Sequence, residues 1–175
     1  MNADVVPVNR GRDGVPETGR IGSWKEAEDQ FRAAMAVAAA HPVDVWLADA
    51  EFAHWPLGER AVMEAWHQWA VAGGRKRLTM LGARYDDMAR RHPRWVAWRA
   101  TWSHRIVCRE APDGLRDEVR PVLIVGDDLA LRIQDALHGT GLWTRDIARI
   151  REWRAELDVI LQRSSEALPP TTLGL

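Results

Sequence analysis

The sequence predicts one α/β domain: a mixed β-sheet of about five or more strands flanked by helices. Three observations predict it. Apolar stripes at helical spacing alternate with short β-rich runs through the first part of the 175-residue chain, as expected of strands covered by helices. The later strand candidates follow one another almost directly, which suits a mixed sheet better than a strictly parallel one. A chain of this length buries roughly 70% of its unfolded surface in a single core, so extra staples are unnecessary.

Residues 1–22 carry Pro7, Gly11, Gly14, Pro16, Gly19 and Gly22 among polar residues. They offer little to bury and read as a flexible tail. Ser23 and Glu26 have capping-box spacing, and Trp24, Ala27, Phe31, Ala34, Met35 and Ala38 recur at helical intervals until His41-Pro42, which predicts the first helix. Val43 to Ala48 is a short apolar run ending in Asp49-Ala50-Glu51, a buried strand emptying into a polar loop. Pro56 is placed in the first turn of a second helix, with Leu57, Ala61, Ala65, Trp66 and Trp69 inward and Gly73-Gly74 as the stop.

Arg77 to Leu81 reads as a second strand. Tyr85 to Arg91 and Arg94 to Trp102 are two helical pieces broken at His92-Pro93, because proline disfavours helical geometry in the residue before it. Arg105 to Arg109, Pro121 to Val125 and Ala130 to Gln134 supply three more strands. Thr144 opens a last helix with Ile147, Ile150, Trp153, Leu157 and Ile160 near one face. Residues 164–175 read as a second flexible tail, leaving 23–163 as the folded domain.

Composition narrows the function classes. Cys108 is the only cysteine, so neither an intramolecular disulfide nor a thiolate cluster is available, and a reducing cytoplasm suits the chain. The apolar runs fall far below the ~20 residues of a membrane-spanning helix, so no membrane association is expected. A net charge of −1 argues against a general nucleic-acid coat. Arginine is the usual base, Lys25 and Lys76 being the only lysines, which reads as the coding bias of a GC-rich bacterial genome.

Most chemical motifs are missing. No Walker loop, no GxGxxG after a strand and no GxSxG occurs, and no cofactor is predicted. Cys108 sits inside a strand, where burial leaves a thiol inert. The six histidines form no compact ligand set. Asp49, Glu51, His54 and His104 would converge on a divalent metal only if the first and third strands were neighbours, and the corresponding hydrolase would use Asp49, His54, His104 and Asp127. Trp95, Trp98 and Trp102, interleaved with Arg94, Arg99 and Arg105, invite a base-stacking reading. Steps of three and four place them instead on one helix face, as core. The arginine excess from Arg75 to Arg109 reads as a solvated face, with nucleic-acid binding as the alternative.

Val43 to Asp49, His54-Trp55-Pro56-Leu57, Leu78 to Leu81, Trp102-Ser103-His104 and Pro121 to Asp127 together resemble a family of bacterial domains that look like reduced members of the phospholipase D-like superfamily. The resemblance covers about residues 40–163 and rests on strand order and scattered residues. Active members of that superfamily carry His-x-Lys, four further residues and Asp, in which histidine attacks phosphorus and lysine holds the phosphate oxygens. With Asp127 as the motif's aspartate, those positions are Arg120 and Val122; with Asp128 they are Pro121 and Leu123. Neither register keeps the nucleophile, and Arg132 to Ala136 occupies the region of the usual Gly-Ser pair.

The resemblance therefore implies a degenerate phospholipase D-like scaffold without its phosphodiesterase chemistry, His104 being the one candidate for a substitute nucleophile. It also implies a homodimer, because superfamily members pair two such units. The expected function is a non-catalytic binding or interaction domain. Its groove would be lined by Arg120, Asp127, Arg132 and His104 and would take a small phosphate- or carboxylate-bearing ligand. A metal-dependent hydrolase is the alternative.

Overall fold

The computed structural model describes residues 9–10 and 16–169. Among the described residues nine strands form one mixed sheet: β1 (Asn9–Arg10), β2 (Pro16–Ile21), β3 (Val45–Asp49), β4 (Leu78–Gly82), β5 (Ile106–Glu110), β6 (Val122–Val125), β7 (Leu129–Asp135), β8 (Thr140–Thr144) and β9 (Ser165–Glu166). Their spatial order is β1-β2-β8-β7-β6-β3-β4-β5-β9. β3, β4 and β5 run parallel, and every other pairing is antiparallel. The helices are α1 (Trp24–Ala40), α2 (Arg60–Val71), α3 (Met88–Arg91), α4 (Pro93–Thr101) and α5 (Ile147–Leu161).

Alternation along the strands sorts the side chains into two cores. Val45 and Leu47 of β3 face Phe31 and Met35 of α1, Trp66 and Trp69 of α2 and Trp95 of α4, all essentially fully buried. Trp46 and Ala48 face the other way, onto Ile150, Trp153, Leu157 and Ile160 of α5. The sheet is thus covered on both sides, which is why β3, β4, β6 and β7 are rich in aliphatic residues. Trp95 lies in the first core and Trp98 and Trp102 pack against it, so this row of indoles is structural, as its spacing implied. Cys108 is buried there too, and loss of solvation pushes its thiol up to about 11.

α1 starts where the capping box placed it. Ser23 Oγ accepts the Glu26 N–H at 3.3 Å, while Glu26 Oε2 reaches back to the Gly22 N–H at 2.7 Å. Such caps contribute about 1 kcal/mol. The break between α3 and α4 falls at His92-Pro93, with proline opening α4.

Four expectations need correction. Residues 16–21 and 9–10 are strands and not tail, because β2 pairs with β8 from Thr18↔Thr144 to Ile21↔Gly141; the rest of the 1–22 segment lies outside the described residues. The 164–175 segment likewise begins as structure. Ser165 and Glu166 pair with β5, and Ala167 donates to the Cys108 carbonyl at 2.9 Å; residues 170–175 lie outside the description. Thr144 closes β8 and does not open a helix: its hydroxyl donates to Glu17 O and accepts from Asp146 N, and Asp146 caps α5. Pro56 sits in a turn before α2, which begins at Arg60.

Candidate ligand-binding cleft

The register decides which residues can meet. β3 ends at Asp49, and β6 runs antiparallel to it with Ala48 opposite Val122 and Val45 opposite Val125. Arg120 and Pro121 therefore enter the sheet at its Asp49 end, whereas Asp127 leaves at the opposite one. Val122 pairs with Arg132, which returns the end of β7 to the Asp49 side. A cleft of about 340 Å³ opens there. Its walls are Trp24 at the start of α1, the loop after β3 from Asp49 to His54, the segment before β6 with Arg116 and Arg120, and Ile133, Gln134 and Ala136 around the end of β7.

Asp49 shapes the loop from within. Its Oδ1 accepts the N–H groups of Glu51 (2.9 Å) and Phe52 (2.7 Å), and its Oδ2 accepts the Trp55 indole N–H at 3.0 Å. Burial raises the carboxyl above its ordinary range in spite of those donors. Phe52 adopts a left-handed conformation, φ 57°, which side-chain-bearing residues rarely adopt. Its carbonyl lies 2.8 Å from His92 Nε2. His92 is nearly buried, and desolvation holds its pKa below the usual histidine value.

An aromatic pair forms one wall. The exposed His54 ring stacks on Trp24 with centroids 4.3 Å apart and planes 17° from parallel. Trp24 is fixed by its Nε1–H bond to Ala136 O at 2.9 Å and by an edge contact with Trp55 at 5.8 Å. A Cβ at Gly139, in the β7–β8 turn with φ 70°, would collide with Trp24.

The cations differ in availability. Arg116 is engaged by Glu110 and Asp113, both at 2.9 Å. Arg132 pairs with Glu156 at 2.7 Å and lies 5.6 Å from the Trp153 ring, beneath α5. Arg120 is exposed, lines both the cleft and the adjoining groove under α5, and forms no ion pair among the described residues.

The expected groove of Arg120, Asp127, Arg132 and His104 is not assembled. Arg120 and Arg132 share the Asp49 end. Asp127 sits at the other end, held by Arg154 (2.8 Å) and Arg151 (3.2 Å), and these cations lower its carboxyl pKa. His104 precedes β5, also at that far end, three strand spacings or about 14 Å from β6. β4 lies between β3 and β5, so the first and third predicted strands are not neighbours. The alternative metal set fails for the same reason: Asp49 and His54 lie at one end of the sheet, His104 and Asp127 at the other. Among the described residues no three His, Cys, Asp or Glu side chains could jointly hold an ion. Several arginines of 75–109 are engaged by neighbouring groups. Arg90 and Arg91 pair with Asp87, Arg99 is buried, Arg105 donates to Gly74 O and Arg109 to Ser164. Trp24, Arg116 and Gln134 are cleft residues that sequence reasoning missed; helical spacing marks Trp24 only as core.

No protein-family model matches the chain, and no curated protein matches it. Solved structures do. TrmBL2, an archaeal chromatin protein with a novel mode of DNA binding, matches with a TM-score of 0.61 at 14% identity, over 94% of this chain and 56% of its own. The chain thus spans little more than half of TrmBL2. Nuc from Salmonella typhimurium, a phospholipase D family member, matches with a TM-score of 0.56 at 11% identity, over 86% of this chain and 95% of its own. NucT from Helicobacter pylori gives 0.55 at 9% identity, over 86% and 98%. Identities this low speak of the fold alone, and that fold is α/β and phospholipase D-like. No helix among the described residues is long and apolar enough to cross a membrane.

Proposed function

We propose that this chain is a non-catalytic binding domain on a degenerate phospholipase D-like scaffold, taking a small phosphate- or carboxylate-bearing ligand in the cleft beside Arg120. One observation carries the reading. In the register that makes Asp127 the motif's aspartate, the position of the attacking histidine is Arg120, at the cleft, and that of the lysine is Val122, 2% exposed in the core under α5. In the other register the lysine position is Leu123, fully buried. A guanidinium stays protonated at any working pH, so it offers no lone pair for attack on phosphorus, yet its fork suits an oxyanion.

The domain acts as a cytoplasmic homodimer, in keeping with the pairing of units in the superfamily it resembles. The engagement of several arginines by neighbouring groups favours a small ligand over nucleic acid. Calorimetric titration with phosphorylated metabolites tests the reading. Saturable binding that Arg120→Ala weakens at least tenfold is expected, with no turnover of a generic phosphodiester. Binding that Arg120→Ala leaves unchanged, or phosphodiester hydrolysis, overturns it.

A further inference from the structure

We infer that the Trp24–His54 pair is a stacking platform, and that the ligand of the Arg120 cleft is a nucleoside monophosphate: a planar base on the aromatic pair and a phosphate on the guanidinium. This rests on the anion-binding reading above and adds the chemical class of the ligand.

The sheet topology places the platform. β6 lies between β7 and β3. Trp24 bonds to Ala136, just past β7, and stacks on His54, in the loop after β3. The pair therefore spans the end of β6, where Arg120 enters the sheet, and all three residues line one cleft. A phosphate at Arg120 brings the rest of a small ligand under the aromatic span.

The pair is also rigid on one side and open on the other. The indole is held by the Ala136 carbonyl and the edge of Trp55, and the Gly139 turn packs against it. His54 has one face on that indole, yet its side chain makes no hydrogen bond or ion pair among the described residues and remains exposed. A flat heteroaromatic ring on a fixed backing costs little further ordering when a second flat ring stacks on it. The volume of about 340 Å³ lies near the lower end of small-molecule sites, about 300–1,000 Å³, which suits one nucleotide better than a dinucleotide.

The test is calorimetric titration of the full chain at low salt with inorganic phosphate, ribose 5-phosphate and adenosine 5′-monophosphate. Base stacking predicts that the nucleotide binds roughly 5- to 150-fold more tightly than ribose 5-phosphate. His54→Ala narrows the nucleotide's advantage over ribose 5-phosphate, whereas His54→Phe keeps it. Arg120→Ala weakens all three. Equal affinities for nucleotide and ribose 5-phosphate would refute the platform while leaving the anion site standing. An absence of binding by all three would remove both.

Discussion

Asp49 accepts the indole N–H of Trp55 at 3.0 Å while its second oxygen takes two backbone N–H groups, so one buried carboxylate folds the loop that walls the cleft. Removing it strands three donors. Two of them, the Phe52 N–H and the Trp55 indole, are buried, so Asp49→Ala is expected to cost about 2–6 kcal/mol in urea denaturation, at ~1–3 kcal/mol per buried unmatched group. Asp49→Asn keeps one acceptor oxygen and is expected to cost less than half as much. Equal losses for both variants would contradict this division of labour.

His92 makes the loop sensitive to acid. Its pKa is depressed in the folded chain, chiefly by burial, so below about 6.5 the unfolded state binds the extra proton more readily. Its contribution is therefore complete above that value and is lost as pH falls toward the folded-state pKa. Chemical denaturation between pH 7.5 and 5 should show a downward slope that His92→Gln flattens. The raised pKa of Asp49 works in the opposite sense, its contribution declining as pH rises through the carboxylate range, which the difference between wild type and variant cancels.

Gly139 holds the aromatic wall in place by lacking a side chain. Gly139→Ala combines a left-handed backbone position with a collision against Trp24, and a loss of roughly 2–5 kcal/mol is expected from strain and overpacking together. Thermal unfolding measures it, and a change below the lower bound would mean that the turn yields freely.

Cys108 is expected to be silent. With its thiol pushed up to about 11 and 2% exposed, it stays a buried, protonated thiol at pH 7.5. An aromatic disulfide reagent should react only after denaturant is added. Prompt labelling of the native chain would place the residue outside the core.

Much of the fold was legible because the central strands are buried on both faces and announce themselves as apolar runs: Val45–Asp49, Leu78–Gly82 and Val122–Val125. The outer strands carry no such signal. β8 contains Gly141, whose missing Cβ lets the Arg132 carbonyl approach, and β2 contains Gly19, packed beneath the Trp143 indole. Their order comes from pairing with a neighbour and not from their own hydrophobicity. The cleft was half legible. Arg120 came from the resemblance, as the position that the motif's histidine would occupy. Asp127 does not join it, since the strand β6 and the turn that follows it at 126–128 carry Asp127 to the opposite end of the sheet. Trp24 carried no sign of a surface role, because a residue that packs on one edge and lines a cleft with its face has the same spacing as one wholly inside.

The most direct test of the binding account is a crystal of the full chain soaked in phosphate or tungstate, with the anion located by difference density. An oxyanion on the Arg120 guanidinium, within the walls formed by His54, Trp24 and Gln134, is the expected result. An anion seated instead among Arg75, Lys76 and Arg154 at the far end of the sheet, with the Arg120 cleft holding only solvent, would contradict it.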